Sequence, residues 1–237
     1  EYLEHLGKVK QAVGIPVFAS LNGTTPGGWL EHARLMEQAG ADALELNLYF
    51  LNTDASVDGA TLEGMALDIV RTVRQAVRIP LSVKLSPFFS SLANMGLRLG
   101  ELGTDGLVLY NRYYAPDVDL ELLQAAGHLT LSTSRDLLPR LRWLAILHGQ
   151  VESSLAVTGG VHTAEDVIKA MMCGADAVQI VSALLLNGPE YLLKIRAGVE
   201  AWLHEHEYEN LRQLVGSMSL ARCPNPQVFQ RGNYMHL

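Results

Sequence analysis

Two short patterns alternate along this chain, and their repetition restricts the fold more than any other feature. Val13-Gly14-Ile15-Pro16-Val17-Phe18-Ala19-Ser20 returns as Val77-Arg78-Ile79-Pro80-Leu81-Ser82-Val83-Lys84. Gly40-Ala41-Asp42-Ala43-Leu44-Glu45-Leu46 returns as Gly103-Thr104-Asp105-Gly106-Leu107-Val108-Leu109, and again as Gly174-Ala175-Asp176-Ala177-Val178-Gln179-Ile180. Glycine stops a helix by entering the left-handed conformation without a Cβ clash, and the Asp opens a short turn into a strand. Proline at the first position of a strand loses the least from its missing N–H. Both patterns therefore read as helix-to-strand joints.

Between the joints, apolar residues recur at helical spacing in Trp29 to Ala39, Leu62 to Ala76, Leu92 to Leu102 and Ala164 to Met172. Strands alternating with helices of this length imply parallel βα units. Six strands are expected, over 16–22, 43–49, 81–86, 106–111, 155–159 and 177–182. A closed parallel barrel needs eight. The fold class is thus α/β, a (β/α)8 TIM barrel whose first two strands, on the order of 60 residues or more, are expected to precede Glu1. The segment from Glu1 to Val13 then reads as the helix after the second strand. An open, doubly wound sheet is the alternative. It is disfavoured by the regular succession of units and by the lack of any Gly-x-Gly-x-x-Gly after a strand.

The 237 residues, 49% hydrophobic and 18% charged, suit one barrel domain over 1–237, with a tail from about Glu209 that carries no barrel period. A net charge of −7 offers no broad positive field for nucleic acid or anionic lipid, so any anion must be held locally. Cys173 and Cys223 have no metal-ligand spacing around them, and neither a metal site nor a disulfide framework is expected. No stretch is apolar for long enough to span a bilayer, and a reducing, cytoplasmic setting is expected. Six strands would leave unpaired edges that invite association, so a homodimer is among the expected partner states.

In such a barrel the reacting groups project from the C-terminal ends of the strands. Lys84 lies in an apolar strand, in phase with the interior. A buried ammonium needs an anion or must lose its proton. It therefore reads as a lysine reaching solvent at the mouth, a Schiff-base nucleophile, or a fixed charge beside an anionic cofactor ring. Asn22, Asn47 and Asn111 end three strands, a place where Asn is depleted. They are either turn formers or a hydrogen-bonding floor for a flat polar heterocycle. Thr158-Gly159-Gly160, followed by a helix start, and Val181-Ser182 at the next strand end read as a phosphate cradle or as tight turns.

In this order the motifs resemble those of the dihydroorotate dehydrogenase family, from Ile15 to about Tyr208. The residues that carry the resemblance are Ala43-Leu44-Glu45-Leu46-Asn47, Val83-Lys84-Leu85-Ser86-Pro87, Thr158-Gly159-Gly160-Val161, Gly174-Ala175-Asp176 and Gln179-Ile180-Val181-Ser182-Ala183-Leu184. The resemblance implies an FMN-binding barrel, hydride transfer to or from a small planar or carboxylated substrate, and a place in pyrimidine biosynthesis. It implies that Gly159, Gly160, Val181 and Ser182 hold the FMN phosphate, that Asn22, Asn47 and Lys84 face the flavin ring, and that Lys84 and Asn111 act on the reaction. Two departures place the chain in a divergent branch. Where the family has a Ser or Cys base followed by Pro-Asn, this chain reads Tyr49-Phe50-Leu51-Asn52, and Phe50 cannot accept a proton. The glycine-rich loop after the sixth barrel strand is replaced by Tyr113-Tyr114-Ala115-Pro116 and Ser132-Thr133-Ser134. A Schiff-base lyase using Lys84 and a non-catalytic flavin binder are the competing readings.

Overall fold

The computed structural model describes residues 1–23, 26–48, 51–112, 114–127 and 129–233. Six strands form one parallel sheet: β1 (Phe18–Leu21), β2 (Ala43–Asn47), β3 (Leu81–Lys84), β4 (Gly106–Leu109), β7 (Ser154–Thr158) and β8 (Ala177–Gln179). Between β4 and β7 the chain forms a separate antiparallel hairpin, β5 (Pro116–Asp119) with β6 (Gln124–Gly127). The sheet order is β1-β2-β3-β4-β7-β8, so strand order never reverses. That order removes the doubly wound alternative.

The sheet is curled into a half-barrel. One hydrogen bond shows why it cannot be flat. Gln179 on β8 donates through Nε2 to Glu45 Oε2 on β2 at 2.6 Å. Four strand steps separate β2 from β8, which in a flat sheet is about 19 Å, beyond the reach of two side chains.

The two faces of the sheet differ in chemistry. Register places Leu44, Leu46, Leu81, Val83, Leu107, Leu155 and Val157 on the convex face, where they join one apolar core with the helices. The helices α1 (Tyr2–Ala12), α2 (Pro26–Gln38), α3 (Gly59–Ala76), α4 (Leu92–Glu101), α5 (Leu138–Leu147) and α6 (Ala164–Met172) run between or before the strands. After β8 come α7 (Ser182–Asn187) and α8 (Tyr191–Glu205). The concave face carries mostly small or polar residues, among them Ser20, Ala43, Glu45, Ser82, Gly106, Ser154 and Gln179, with Phe18 and Val108 the larger apolar ones.

The repeated joints have a physical explanation beyond the glycine. Gly40, Gly103 and Gly174 all have positive φ. The Asp two residues on then accepts the N–H at or just before the start of the neighbouring strand. Asp42 takes Val17 N at 2.6 Å, Asp105 takes Leu81 N at 2.8 Å and Asp176 takes Leu155 N at 2.8 Å. Each carboxylate thus pins the next unit to the previous one. Asp105→Ala is expected to cost about 1–3 kcal/mol, because it leaves the Leu81 amide without its acceptor. Urea denaturation together with faster exchange of the Leu81 amide checks this.

The tail after α8 straps the outer helices: Gly216 N donates to Met171 O, Met218 N to Met172 O and Leu220 N to Ala145 O. Cys173 and Cys223 are buried free thiols. Burial pushes the Cys173 thiol up to about 11, with Cys223 adding a smaller effect in the same direction. An unfolded chain's thiol titrates near about 8.5. Its contribution to stability is therefore fully present below that pH and is lost as pH rises through about 11. Denaturation midpoints that fall across this interval in the native chain, and fall less in Cys173→Ala, are the expected result.

Candidate functional site

The sharpest electrostatic feature of the concave face is an ion pair. Lys84 Nζ lies 2.6 Å from Glu45 Oε1, with the side chains only 15% and 6% exposed. A buried pair persists when its remaining lone pairs are satisfied. Here they are, since Ser20 Oγ donates to Glu45 Oε1 at 3.3 Å and Gln179 Nε2 to Oε2 at 2.6 Å. The network continues along the strand ends. Asn47 Nδ2 donates to Ser20 Oγ at 2.7 Å and to Leu21 O at 3.3 Å, and Asn111 Nδ2 donates to Asn47 Oδ1 at 3.3 Å.

Above this network, at the C-terminal ends of β3, β4, β7 and β8, lies a cavity of about 240 Å³. Lys84, Asn111, Gly159, Gly160, Val181 and Ser182 all line it, so six of the residues singled out from the sequence share one wall. Asn47 stands behind Asn111 as its hydrogen-bond partner. Asn22 is not brought to this cavity. It is exposed and lines a different hollow with Tyr2 and His32 beside α1 and α2. A larger hollow of about 490 Å³ lies on the concave face below this network, where Phe18, Ser82, Val108, Ser154 and Ala156 line it and Glu45 and Gln179 border it. Its acids are already engaged: Asp105 and Asp176 bind strand amides and Glu45 is paired with Lys84.

The rim at β7 is set by the 3₁₀ turn Ser134–Leu137. Gly160 has φ +90, and a Cβ there would stand 2.3 Å from Leu137 N. That close approach requires glycine whether or not a ligand is bound. Arg140 Nε donates to Thr158 O at 2.5 Å, and its Nη1 donates to Asp136 O, so its guanidinium locks this turn to the end of β7. The Thr133 amide, donating to Asp136 Oδ2 at 2.7 Å, holds the Asp136 carboxyl below the usual carboxylate range.

Two local expectations change. Val181 and Ser182 do not end a strand, because β8 stops at Gln179 and Ser182 opens α7. The two amides that lead into α6 do not face the cavity as free donors. His162 N and Thr163 N donate to Asp166 Oδ2 at 3.0 and 3.1 Å, and Ser134 Oγ donates to the same atom at 2.6 Å. The helix start is closed on itself by its own capping box.

Glu45, Gln179, Ser132, His162 and Arg140 were given no role from the sequence, although Glu45 and Gln179 lie in motifs that carry the family resemblance and Ser132 in the segment that replaces the glycine-rich loop. Strand alternation was the available signal for Glu45, which stands two residues before Asn47 and so shares its face. The others meet only through the fold. Tyr110 also lines the cavity, is 3% exposed, and its hydroxyl has no hydrogen-bond partner among the described residues. Burial pushes its phenol above the ordinary range. Tyr49, Phe50 and Tyr113 lie outside the described residues. Among the described residues no cluster of His, Cys, Asp and Glu could hold a metal, and no helix is long and apolar enough to cross a membrane.

Comparison with known proteins agrees with the sequence motifs. The family model described as dihydroorotate dehydrogenase matches residues 1–203. The catalytic subunit of dihydroorotate dehydrogenase B (NAD(+)) from Endomicrobium trichonymphae is 28% identical over 228 residues, covering 94% of this chain and 72% of the relative. The equivalent subunit from Desulforudis audaxviator is 31% identical over 210 residues, covering 86% of this chain and 67% of the relative. That from Methanothermobacter thermautotrophicus is 27% identical over 210 residues, covering 85% and 68%.

Proposed function

Because the chain belongs to the dihydroorotate dehydrogenase family of oxidoreductases, we propose that it is an FMN-dependent enzyme acting on CH–CH bonds of a small planar or carboxylated substrate. The observation that carries this reading is the convergence of Lys84, held by Glu45 at 2.6 Å, with Asn111, Gln179 and Ser182 on one cavity. FMN, when bound, supplies reversible hydride acceptance.

The donor set suits that group. An ammonium, two carboxamides, hydroxyls and a guanidinium (Arg112) face a single space, and the orphaned Tyr110 hydroxyl on its wall fits a ligand that brings a polar atom. The cavity volume is below the about 300–1,000 Å³ usual for whole ligands, so it suits part of a cofactor or a small substrate. Lys84 would supply positive charge to stabilise an anionic, reduced flavin bound in this cavity. Glu45 and Gln179 fix the direction of that charge. Asn111, oriented by Asn47, offers a donor and an acceptor to a planar substrate. Arg112 offers its charge to a carboxylate.

The Schiff-base reading is weakened by the same pair, since an ion-paired ammonium has no free lone pair for attack on a carbonyl. Borohydride trapping of a carbonyl compound on Lys84 would restore it. A flavin binder without turnover is separated from an enzyme by photoreducing the flavin and screening electron acceptors. In this reading residues 1–237 act as one FMN-binding unit in the cytoplasm, with homodimerisation a matter for sedimentation.

The direct test is an absorbance spectrum. Purified protein, or protein incubated with FMN and desalted, is expected to retain a bound flavin band. Colourless protein that fails to quench FMN fluorescence defeats the proposal.

A further inference from the structure

We infer that the β5–β6 hairpin is a lid for the cavity beside it, and that its leucine tip closes over the mouth toward Val181 and Leu185. Closure itself does not depend on the flavin reading. Its use, keeping water from a bound flavin and substrate, rests on that reading.

The tip of the hairpin runs against the usual chemistry of turns. Turns favour Gly, Pro, Asn, Asp and Ser, yet the four residues between the two strands are Leu120-Glu121-Leu122-Leu123. The three leucines are 66–85% exposed. Leu123 also has φ +49, a conformation that glycine enters freely and that a residue with a Cβ enters at a cost. Asp119 Oδ1 accepts the N–H groups of Glu121 and Leu122 at 3.0 and 2.9 Å, so the tip is held in shape from within. A preformed apolar knob left in water is unfavourable, and burial against an apolar surface offsets its cost.

The position of the hairpin says which surface that is. Arg112 precedes it, Leu129 to Ser132 follow it, and all of these line the cavity, so both of its roots belong to the cavity wall. Among the described residues, 114–127 hydrogen-bond only to one another. Strands of four residues carry the tip about 13 Å from the roots, enough to span the mouth.

The two surfaces are complementary. Residues 114–127 include Asp117, Asp119 and Glu121 and no Lys or Arg. On the rim, Arg112 and Arg135 have no salt-bridge partner among the described residues. On the β8 side of the same mouth, Val181 and Leu185 line the cavity and are 61% and 66% exposed, an apolar patch for leucine side chains. A tethered knob meets that patch at an effective concentration on the order of millimolar, above that of a second copy at ordinary protein concentrations.

Disulfide trapping in the full chain tests closure without any ligand. L123C and L185C are introduced together, oxidised glutathione is the oxidant, and the native thiols are buried. A disulfide forms only where the two Cα atoms come within about 7 Å. A monomeric crosslinked species is expected for L123C/L185C, and not for L123C/L97C, whose second cysteine is exposed on α4. Adding L120S and L122S should slow crosslinking about 10-fold or more, because the tip loses its apolar surface. High salt should slow it about 2- to 10-fold. With FMN bound, the disulfide should slow flavin release about 10-fold or more, and its reduction should restore the native rate.

No monomeric crosslink, or equal crosslinking at L97C, would overturn the inference. A covalent dimer alone would assign the tip to a second copy and overturn it as well. So would a rate that neither the serines nor salt changes, or flavin release indifferent to the disulfide. If the chain crosslinks as expected and binds no flavin, the lid stands and the flavin reading alone fails.

Discussion

In Lys84→Met, bound FMN is expected to become harder to reduce by about 60–90 mV. This is the two-electron equivalent of the about 10²–10³-fold that one preorganised electrostatic group supplies at such a site. The methionine keeps the length of the side chain and removes its charge, so the flavin loses the cation that favours its reduced, anionic form. The same change should destabilise the fold by about 3–5 kcal/mol, because the Glu45 carboxylate stays buried with only Ser20 and Gln179 as donors. The two effects separate in a double variant. Glu45→Gln with Lys84→Met leaves no unpaired charge and should recover much of the stability while the potential stays low. Spectroelectrochemistry and urea denaturation on the four proteins of the cycle measure both. A Lys84→Met potential equal to that of the native protein would remove Lys84 from the flavin's electrostatics.

Gly160→Ala should cost about 2–5 kcal/mol, more than any single change at the neighbouring glycine. Two penalties add. An alanine at φ +90 is in the left-handed region, at about 1–2 kcal/mol. Its Cβ would also stand 2.3 Å from Leu137 N and 2.8 Å from Leu137 Cα, so backbone must move, and overpacking of this kind costs about 1–3 kcal/mol. At Gly159 the nearest atoms, 3.0–3.4 Å away, belong to the Arg140 guanidinium, which must give by a few tenths of an ångström against its bonds to Thr158 and Asp136, while no backbone has to move. Gly159→Ala should therefore cost the backbone penalty plus a small further loss, less than Gly160→Ala. The Gly160 variant is also expected to lose flavin, since shifting Ser134–Leu137 disturbs the wall of which Ser132 is part. Thermal denaturation and FMN titration of both alanine variants test the ordering, and equal losses at the two positions would contradict it.

The barrel was legible in the sequence because its joints repeat. Helix stop, acid and strand start recur at Gly40-Asp42, Gly103-Asp105 and Gly174-Asp176, and each acid binds a strand amide. Strand ends then nominated Lys84 and Asn111 by position, and the structure places both on one cavity. Asn22, which directly follows β1, is placed elsewhere, in a hollow beside α1 and α2. The hairpin at Pro116–Gly127 went unread because its strands are almost wholly exposed and lack an apolar face to set a period. Ser132 and His162 were invisible for a different reason. Neither is near the other in sequence, and a single Oγ to Nε2 contact has no periodicity to betray it.

The bond from Gln179 to Glu45 joins residues 134 positions apart, and the carboxylate it steadies is the one that holds Lys84. During synthesis, the earlier βα units can pack as they leave the ribosome, but the ion pair lacks its amide support until the final strand docks. The cavity wall and the network behind it are thus completed only by the segment from Gln179 to Leu185, the last part of the sheet to be synthesised.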